Sequence, residues 1–365
     1  MKRVVARHDM AATHAALGFD WAGDYWQDGA HYEVTLDEVL RIERVAAELH
    51  ARCLDAVQHV IDTRAWARLG IDPRWEPLVV ASWEEEPPSL YGRFDLCVTD
   101  TGIFLYEYNA DTPTSLYEAA VVQWHWLERH CPGADQFNRL HDALVETWRS
   151  FALDHRVRCY WADPTSEDVA TVDYLAHTAR EAGVDATSED IATIGVVDGR
   201  LVAADGTPLR TAFKLYPWEW LLADDYAPLV DQVQWIEPPW KMVLSNKGIL
   251  AILHELFPGH PNILPATLDA AEVLTWEGYV TKPLLGREGA NVEVQLFDQA
   301  LVRTRGPYDG PRVFQQLATP PDFDGWKPVV GAWIVGQAPA GMGIREDRGV
   351  VTGNASRFVP HCIRG

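Results

Sequence analysis

Asp95, Glu107 and Asn109 carry hard oxygen ligands that one short stretch, Arg93 to Glu118, can bring onto a single surface. The stretch reads R-F-D-L-C-V-T-D-T-G-I-F-L-Y-E-Y-N-A-D-T-P-T-S-L-Y-E. Asp100-Thr101-Gly102 separates two runs rich in β-branched and aromatic residues, so it reads as a three-residue hairpin loop with Gly102 in the left-handed position. With Thr99 opposite Ile103, Val98 meets Phe104, Leu96 meets Tyr106 and Phe94 meets Tyr108 on one apolar face. On the other face Asp95 sits opposite Glu107, and Arg93 opposite Asn109.

Two carboxylates about 5 Å apart at an effective dielectric of about 20 repel by roughly 3 kcal/mol. A divalent cation between them reverses the sign, and Asp, Glu and an Asn amide oxygen suit Mg²⁺ with room for water and phosphate. The alternative is an exposed hairpin face whose acidic pair is strained or protonated.

Other candidates lie further along. Lys247 opens a helix, where a cation opposes the dipole unless an anion is near. Gly286-Arg287-Glu288-Gly289-Ala290-Asn291 is a glycine-bearing loop able to lay N–H groups over phosphates, though it is neither G-x-G-x-x-G nor a P-loop. Arg345 sits in a mostly apolar strand, either paired with Glu346 or Asp347 or facing an anion. His254-Glu255 with His260 lacks the zinc-protease spacing, because Pro258-Gly259 takes the second histidine off the helix face.

These groups need elements to hold them. Residues 1–34 read as irregular and aromatic-rich. Thr35-Leu-Asp-Glu38 is a capping box, followed by Val39, Ile42, Ala46, Leu49, Cys53, Val57 and Val60 at helical spacing to about residue 62. Glu84 to Pro88 is a charged connector. Thr112-Pro113 reads as an N-cap with proline in the first turn, Ser115-x-x-Glu118 repeats the start signal, and the helix runs to about Glu128. Its free N–H groups would lie beside the proposed metal.

Helices over about 136–153 and 166–182, with Gly183 as a C-cap, alternate with strands at Arg158–Trp161, Ile194–Val197 and Thr211–Leu215. Ile249 to Phe257 form an apolar helix stopped by Pro258-Gly259. Strands follow at Tyr279–Lys282, Val292–Leu296, Val329–Val335 and Gly341–Arg345, with Val350–Thr352 continuing the last sheet after an Asp347-Arg348-Gly349 turn. The pattern is α/β with interleaved subdomains.

The 365 residues are 47% hydrophobic and 23% charged, enough for a large core. A net charge of -22 argues against nucleic acid and favours cationic small molecules. Five cysteines without C-x-x-C spacing point to reduced thiols in a cytoplasm and no zinc knuckle. No signal peptide, membrane span or internal repeat is visible. Oligomeric state is left open.

Gly92-Arg-Phe-Asp95, Tyr106 to Ser115, the Asn246-Lys247 helix ending Leu-Phe-Pro-Gly-His-Pro, Lys282-Pro283 with Gly286-Arg-Glu-Gly, and Gly343-Ile-Arg-Glu346 together resemble the glutathionylspermidine synthase family. The nearest resemblance is to its stand-alone bacterial acid–amine ligases, from about Trp21 to Ile363. It implies an ATP-grasp synthetase with a preceding pre-ATP-grasp-like subdomain, a lid at about 241–307 and no amidase domain, as one unit over 1–365.

The reaction so implied is ATP-dependent activation of a carboxylate, that of a peptide included, as an acyl phosphate. An amine, such as a polyamine of the spermidine kind, then completes an amide.

Carried over residue by residue, the resemblance assigns Asp95, Glu107 and Asn109 to Mg²⁺. ATP would be bound by Arg93, Phe94, Asp95, Lys247 and Lys282, with Glu288 and Gly289 in the closing loop. Gln315, Gln316, Leu317 and Ala318 would line the adenine pocket, and Val350, Val351 and Thr352 would lie near the nucleotide. Arg93 and Arg345 would be catalytic, Thr112 and Arg345 would face the acid, and Glu167 and Asp168 the amine.

In the family's K-x-W-x-W-E stretch a threonine helps bind glutathione, whereas Lys214-Leu215-Tyr216-Pro217-Trp218-Glu219 has Leu215, which has no hydrogen-bonding side chain. Two competing classes remain: a catalytically silent nucleotide-binding regulatory or scaffold protein of the same fold, and a carboxylate kinase without amine transfer.

Overall fold

The long helix Leu36–Thr63 sets the first core. Thr35 Oγ1 accepts from Glu38 N while Glu38 Oε2 accepts from Thr35 N, so the capping box forms as the sequence predicts. Val39, Ile42, Leu49, Val57 and Val60 are fully or nearly fully buried along its inner stripe. Their burial contributes on the order of 10 kcal/mol, an upper figure because an unfolded chain already hides some apolar surface. This is a computed structural model, and it describes residues 1–297, 299–353 and 356–364.

The architecture is mixed α/β, built on several sheets. The central antiparallel sheet runs Arg357–Val359, Ala338–Asp347, Lys327–Val335, Tyr91–Val98, Ile103–Asn109 in spatial order. A second five-stranded antiparallel sheet runs Ala266–Thr267, Arg312–Gln316, Gly278–Pro283, Glu293–Leu296, Gln299–Arg303. A parallel sheet orders Gln234–Ile236, Thr211–Leu215, Val157–Trp161 and Ala186–Asp190, with the helix Ser166–Glu181 as its crossover. A small sheet centres Ala30–Val34 between Lys2–Val5 and His361–Ile363. Among the described residues no helix is long and apolar enough to cross a membrane.

Several expectations change. Residues 1–34 are not irregular: they hold two strands and the helix Ala11–Leu17, because Ala30–Val34 pairs with a strand from the far end of the chain. The strand partner in the parallel sheet is Ala186–Asp190, whereas Gly195–Val197 folds into a separate hairpin with Arg200–Val202. Val350–Thr352 are not a strand, and Arg357–Val359 completes the sheet instead.

The helix after the central hairpin begins at Leu116 and runs to His130, with a π-helical turn at Glu118–Val122. Neither Thr112 nor Ser115 caps it. Ser115 takes a left-handed φ of 65° and its hydroxyl meets Tyr25 Oη at 2.5 Å.

Within the hairpin, Arg93↔Asn109, Phe94↔Tyr108 and Asp95↔Glu107 pair as the sequence predicts. The register then shifts by one, to Leu96↔Leu105, Cys97↔Phe104 and Val98↔Ile103. The loop is therefore longer than three residues. Thr99 Oγ1 accepts from Thr101 N and Gly102 N while Thr99 N donates to Gly102 O, so the turn closes without Gly102 being left-handed. The bulge takes Tyr106 out of the apolar face, and Leu105 and Ile103 replace Tyr106 and Phe104 in the core.

Candidate functional site

Asp95 stands opposite Gly331 on its other neighbour, where an added Cβ would lie 2.9 Å from Arg93 Cδ. That gap lets the buried Arg93 fold back on its own strand. Its Nε and Nη2 donate to Asp95 Oδ1 and Oδ2 at 2.7 and 3.3 Å, and Nη1 donates to Thr114 O at 2.5 Å. Arg345, two strands away, donates from Nη2 to Asp95 Oδ2 at 2.6 Å. Neither neighbour expected for Arg345 takes it, since Glu346 is held by Arg3 at 2.7 Å and Asp347 accepts from Gly349 N at 2.8 Å.

Glu107 has its own partners. Lys247 Nζ lies 2.9 Å from Oε2, and Asn109 Nδ2 donates to Oε1 at 3.2 Å. Lys247 stands just ahead of the helix Ile249–Leu256, not inside its first turn. Burial alone would raise the Glu107 pKa, but the Lys247 and Lys282 ammonium groups outweigh it and hold the carboxyl at about 2. Lys282 donates to Tyr106 O and Gln315 Oε1, both at 2.9 Å. Burial, helped by Lys247, lowers it to about 8 against the pull of Glu107 and Asp95. The repulsion foreseen between Asp95 and Glu107 is thus offset by the protein's own cations.

These groups open onto a common cleft. Of the residues singled out in the sequence, Asp95, Glu107, Lys247, Lys282, Glu288, Gly289, Gln315 to Ala318 and Val350 to Thr352 line it. Gly289 has φ +66°, and a Cβ there would lie 2.3 Å from Thr352 O, so the glycine loop and the 350–352 segment touch. Tyr106, turned to this side by the bulge, donates to Ala318 O at 2.6 Å.

Phe94 is not brought to the cleft. Its ring stacks on Tyr108 in the core with centroids 3.9 Å apart, facing away from its neighbour Asp95. Asn109 and Thr112 line a second cleft, which shares Lys247, Gly286 and Arg287 with the first. Arg287, on the glycine loop, pairs with Glu219, reaches Thr112 Oγ1 at 3.5 Å and lies over the Trp220 ring. Leu215, on the strand Thr211–Leu215 of the parallel sheet, is buried among apolar side chains and lines neither cleft.

Asp111 locks the end of the hairpin through Lys214 at 2.6 Å and Trp218 N at 2.9 Å. His254-Glu255 and His260 stay apart, Glu255 pairing with Arg68 and His260 with Glu48.

Glu167 and Asp168 lie at the start of the helix Ser166–Glu181, both within electrostatic reach of Glu288 and Glu167 also within reach of Arg345. Glu118 joins them. It is fully buried, accepts from Trp21 Nε1 at 2.8 Å, and its Oε2 has no hydrogen-bond partner. Burial and then Glu167 push Glu118 up to about 8. Burial, then Glu167 and Asp163, push Asp168 up to about 7, and burial raises Glu167 although Arg345 opposes it.

Sequence reasoning missed Glu118 because it read as a helix-capping acid. Arg287 and Tyr106 were missed because a loop arginine and an apolar-face tyrosine gave no signal.

The donor set fits a hard divalent cation. A carboxylate has about four acceptor positions, more than the ion pairs of Asp95 and Glu107 use, and Asn109 donates through nitrogen, which leaves its amide oxygen as a further ligand. Arg93, Arg345, Lys247 and Lys282 against two carboxylates leave about two positive charges in excess, on a chain whose net charge is -22. Such a surplus in a cleft favours a polyanion.

The family model described as glutathionylspermidine synthase preATP-grasp matches residues 1–364. The chain is 38% identical over 390 residues to a Haemophilus influenzae protein named "Putative acid--amine ligase", covering 99% of each. It is 27% identical to trypanothione synthetase of Crithidia fasciculata and 27% identical to bifunctional glutathionylspermidine synthetase/amidase of Escherichia coli, with 90% and 92% of this chain aligned. The alignments span 56% and 59% of those two relatives, a little over half their length.

Proposed function

Because this chain belongs to the glutathionylspermidine synthase preATP-grasp family, we propose that it is an ATP- and Mg²⁺-dependent acid–amine ligase. A carboxylate oxygen of the acid attacks the γ-phosphorus and ADP leaves. The amine nitrogen then attacks the acyl carbon, phosphate leaves, and the nitrogen gives up a proton. The supporting observation is the meeting of Asp95, Glu107, Lys247 and Lys282 at one cleft, with Arg93 and Arg345 bound to Asp95 behind it.

Mg²⁺, held by Asp95, Glu107 and Asn109, supplies charge neutralisation at the phosphates when bound. Lys247 and Lys282 bind phosphate oxygens, and Gln315 to Ala318 with Val350 to Thr352 frame the base and ribose. Arg93 is held rigid by Asp95 and Thr114 O, so it presents fixed positive charge with little reorganisation. The loop of Glu288 and Gly289 covers the nucleotide as part of a lid over about 241–307 in an ATP-grasp arrangement.

The acid enters the second cleft, where Thr112 and Arg287 meet it, and Arg345, bound to Asp95, faces its activated carboxyl. Glu167 and Asp168 hold ammonium groups of the amine, with the buried Glu118 carboxyl behind them, which favours a substrate with more than one, as in a polyamine. Leu215 cannot supply the hydrogen bond that the family's threonine gives glutathione, which disfavours glutathione among the carboxylates, peptides included.

A coupled ADP assay over a matrix of peptides and di- or polyamines, with mass detection of the conjugate, tests this. ADP release should require both partners. Equal release without either, or none across the panel, would overturn it and favour a regulatory nucleotide-binding protein. Hydroxylamine capture of an acyl phosphate with no conjugate would favour a carboxylate kinase.

A further inference from the structure

Cys131, Cys362 and His31 stand far apart in the sequence and converge in the structure. Cys362 lies on the strand His361–Ile363, parallel to Ala30–Val34, with Glu33↔Cys362 and Tyr32↔His361 in register. Side chains two apart on a strand share a face, so His31, Glu33 and Cys362 point to the same side of this sheet. The helix Gln123–His130 ends against that side and delivers Cys131 at its C-terminal boundary. One ligand atom from each of His31, Cys131 and Cys362 lies within 4.8 Å of the others, and all three residues are buried.

The polar groups around them are arranged for a cation. His31 Nδ1 lies 3.2 Å from His8 Nε2, while the buried His31 Nε2 has no hydrogen-bond partner. If Nδ1–H donates to His8, the lone pair of Nε2 faces outward, the tautomer that metal-binding histidines keep through their other nitrogen. Arg364 Nη2 donates to Cys131 Sγ at 3.8 Å, and Arg364 Nε is 3.5 Å from Glu33 Oε1. Glu33 Oε1 in turn lies 3.9 Å from His31 Nε2. His130 flanks His8, with ring centroids 4.8 Å apart.

We propose that His31, Cys131 and Cys362 form a binding site for a soft divalent cation, zinc by ligand chemistry, with Glu33 or water in the fourth position. Thiolate sulfur with imidazole nitrogen selects zinc over the hard cations suited to the Asp95 and Glu107 cleft. Bonds of about 2.3 Å to sulfur at a tetrahedral angle separate two sulfurs by roughly 3.8 Å, so the cluster needs only a small contraction. Binding replaces two S–H bonds with two sulfur–metal bonds and releases two protons to solvent, with no oxidant or reductant needed.

The ion would clasp the central strand Ala30–Val34 and the C-terminal strand His361–Ile363 of the small sheet to the helix that follows the hairpin. None of its three ligands lines either cleft. The site therefore stands independently of the ligase reading.

The test uses the full-length protein, reduced and freed of metal by chelation, then titrated with Co²⁺ and back-titrated with Zn²⁺. A near-ultraviolet sulfur-to-cobalt band saturating at one ion per chain, removed by zinc, is expected, together with a rise in melting temperature. Cys131→Ser with Cys362→Ser should abolish the band and weaken zinc binding by about 100-fold or more. Because that variant removes two buried side chains, His31→Gln serves as a second probe. It keeps both thiols, and it should weaken zinc about 10- to 100-fold while leaving the protein folded by circular dichroism.

Absence of a thiolate band in the reduced wild-type protein, or a band unchanged in these variants, would overturn the site. So would a Cys131–Cys362 disulfide in the purified protein whose reduced form takes up no cobalt.

Discussion

Two groups of carboxylates flank Arg93 and Arg345, and their surroundings move them in opposite directions. At the hairpin, Asp95 and Glu107 are met by Arg93, Arg345 and Lys247, and Glu107 is held at about 2. At the helix starts, Glu118 and Asp168 are pushed up to about 8 and about 7, and Glu118 Oε2 is buried without a partner. Burial is common to both, so the difference lies in whether a countercharge is built in. The first group arranges surplus positive charge for an anion. The second holds carboxylates without a built-in countercharge, the place the proposed function gives to the amine.

The largest effect expected is from Asp95→Ala, which strikes the satisfied group. It should lower ADP release by about 10²–10³-fold. It should also cost about 3–5 kcal/mol in urea unfolding, because Arg93 is left as a buried unpaired cation. An Asp95→Ala protein of normal stability would break the claim that the hairpin carboxylates are held by the protein's own cations.

Glu118→Gln strikes the unsatisfied group and should behave differently. The KM for the amine should rise about 10-fold, of the order of one lost charge-assisted contact, with little change in ATP affinity. The folded state holds the Glu118 proton up to about pH 8, well above the ordinary carboxyl range. This group's contribution to stability is therefore present at low pH and is lost as pH rises through that window. The variant should melt higher than wild type at pH 8.5 and differ little near pH 4. Equal shifts at both pH values would show that Glu118 is an ordinary packed side chain.

The smallest effect is a pair of opposed pH slopes, each at most about 10-fold per pH unit for a single proton. Lys282 loses its charge near pH 8 in the free protein, so ATP binding should weaken from pH 7.5 to 9. Glu118 and Asp168 gain charge across pH 6 to 8.5, so an unreactive diammonium ligand should bind more tightly over that range. Calorimetric titration of each ligand reads the two slopes. Slopes of the same sign would dissolve the distinction between the regions.

Local chemistry carried a good part of this molecule. The capping box at Thr35, the apolar stripe of Leu36–Thr63 and the Asp95–Glu107 pairing depend on neighbours within a few residues or one turn, and each formed as expected. Local signals failed where a distant contact outbid them. The start signal at Thr112 gave way to Ser115 held by Tyr25, and the three-residue turn gave way to a bulge that sends Tyr106 to Ala318.

By itself the sequence determined which residues could bear oxygen ligands and phosphate-binding cations, because alternation along a strand assigns faces without reference to the rest of the chain. Only the tertiary structure decided what neutralises them. Arg345 reaches Asp95 from 250 residues away, and Lys247 reaches Glu107 from the turn ahead of the helix Ile249–Leu256. The same holds for Glu118 and for Cys131 beside Cys362. Coulomb energy and metal ligation depend on separations of a few ångströms in space, and periodicity along a chain says nothing of which remote side chains packing will bring within them.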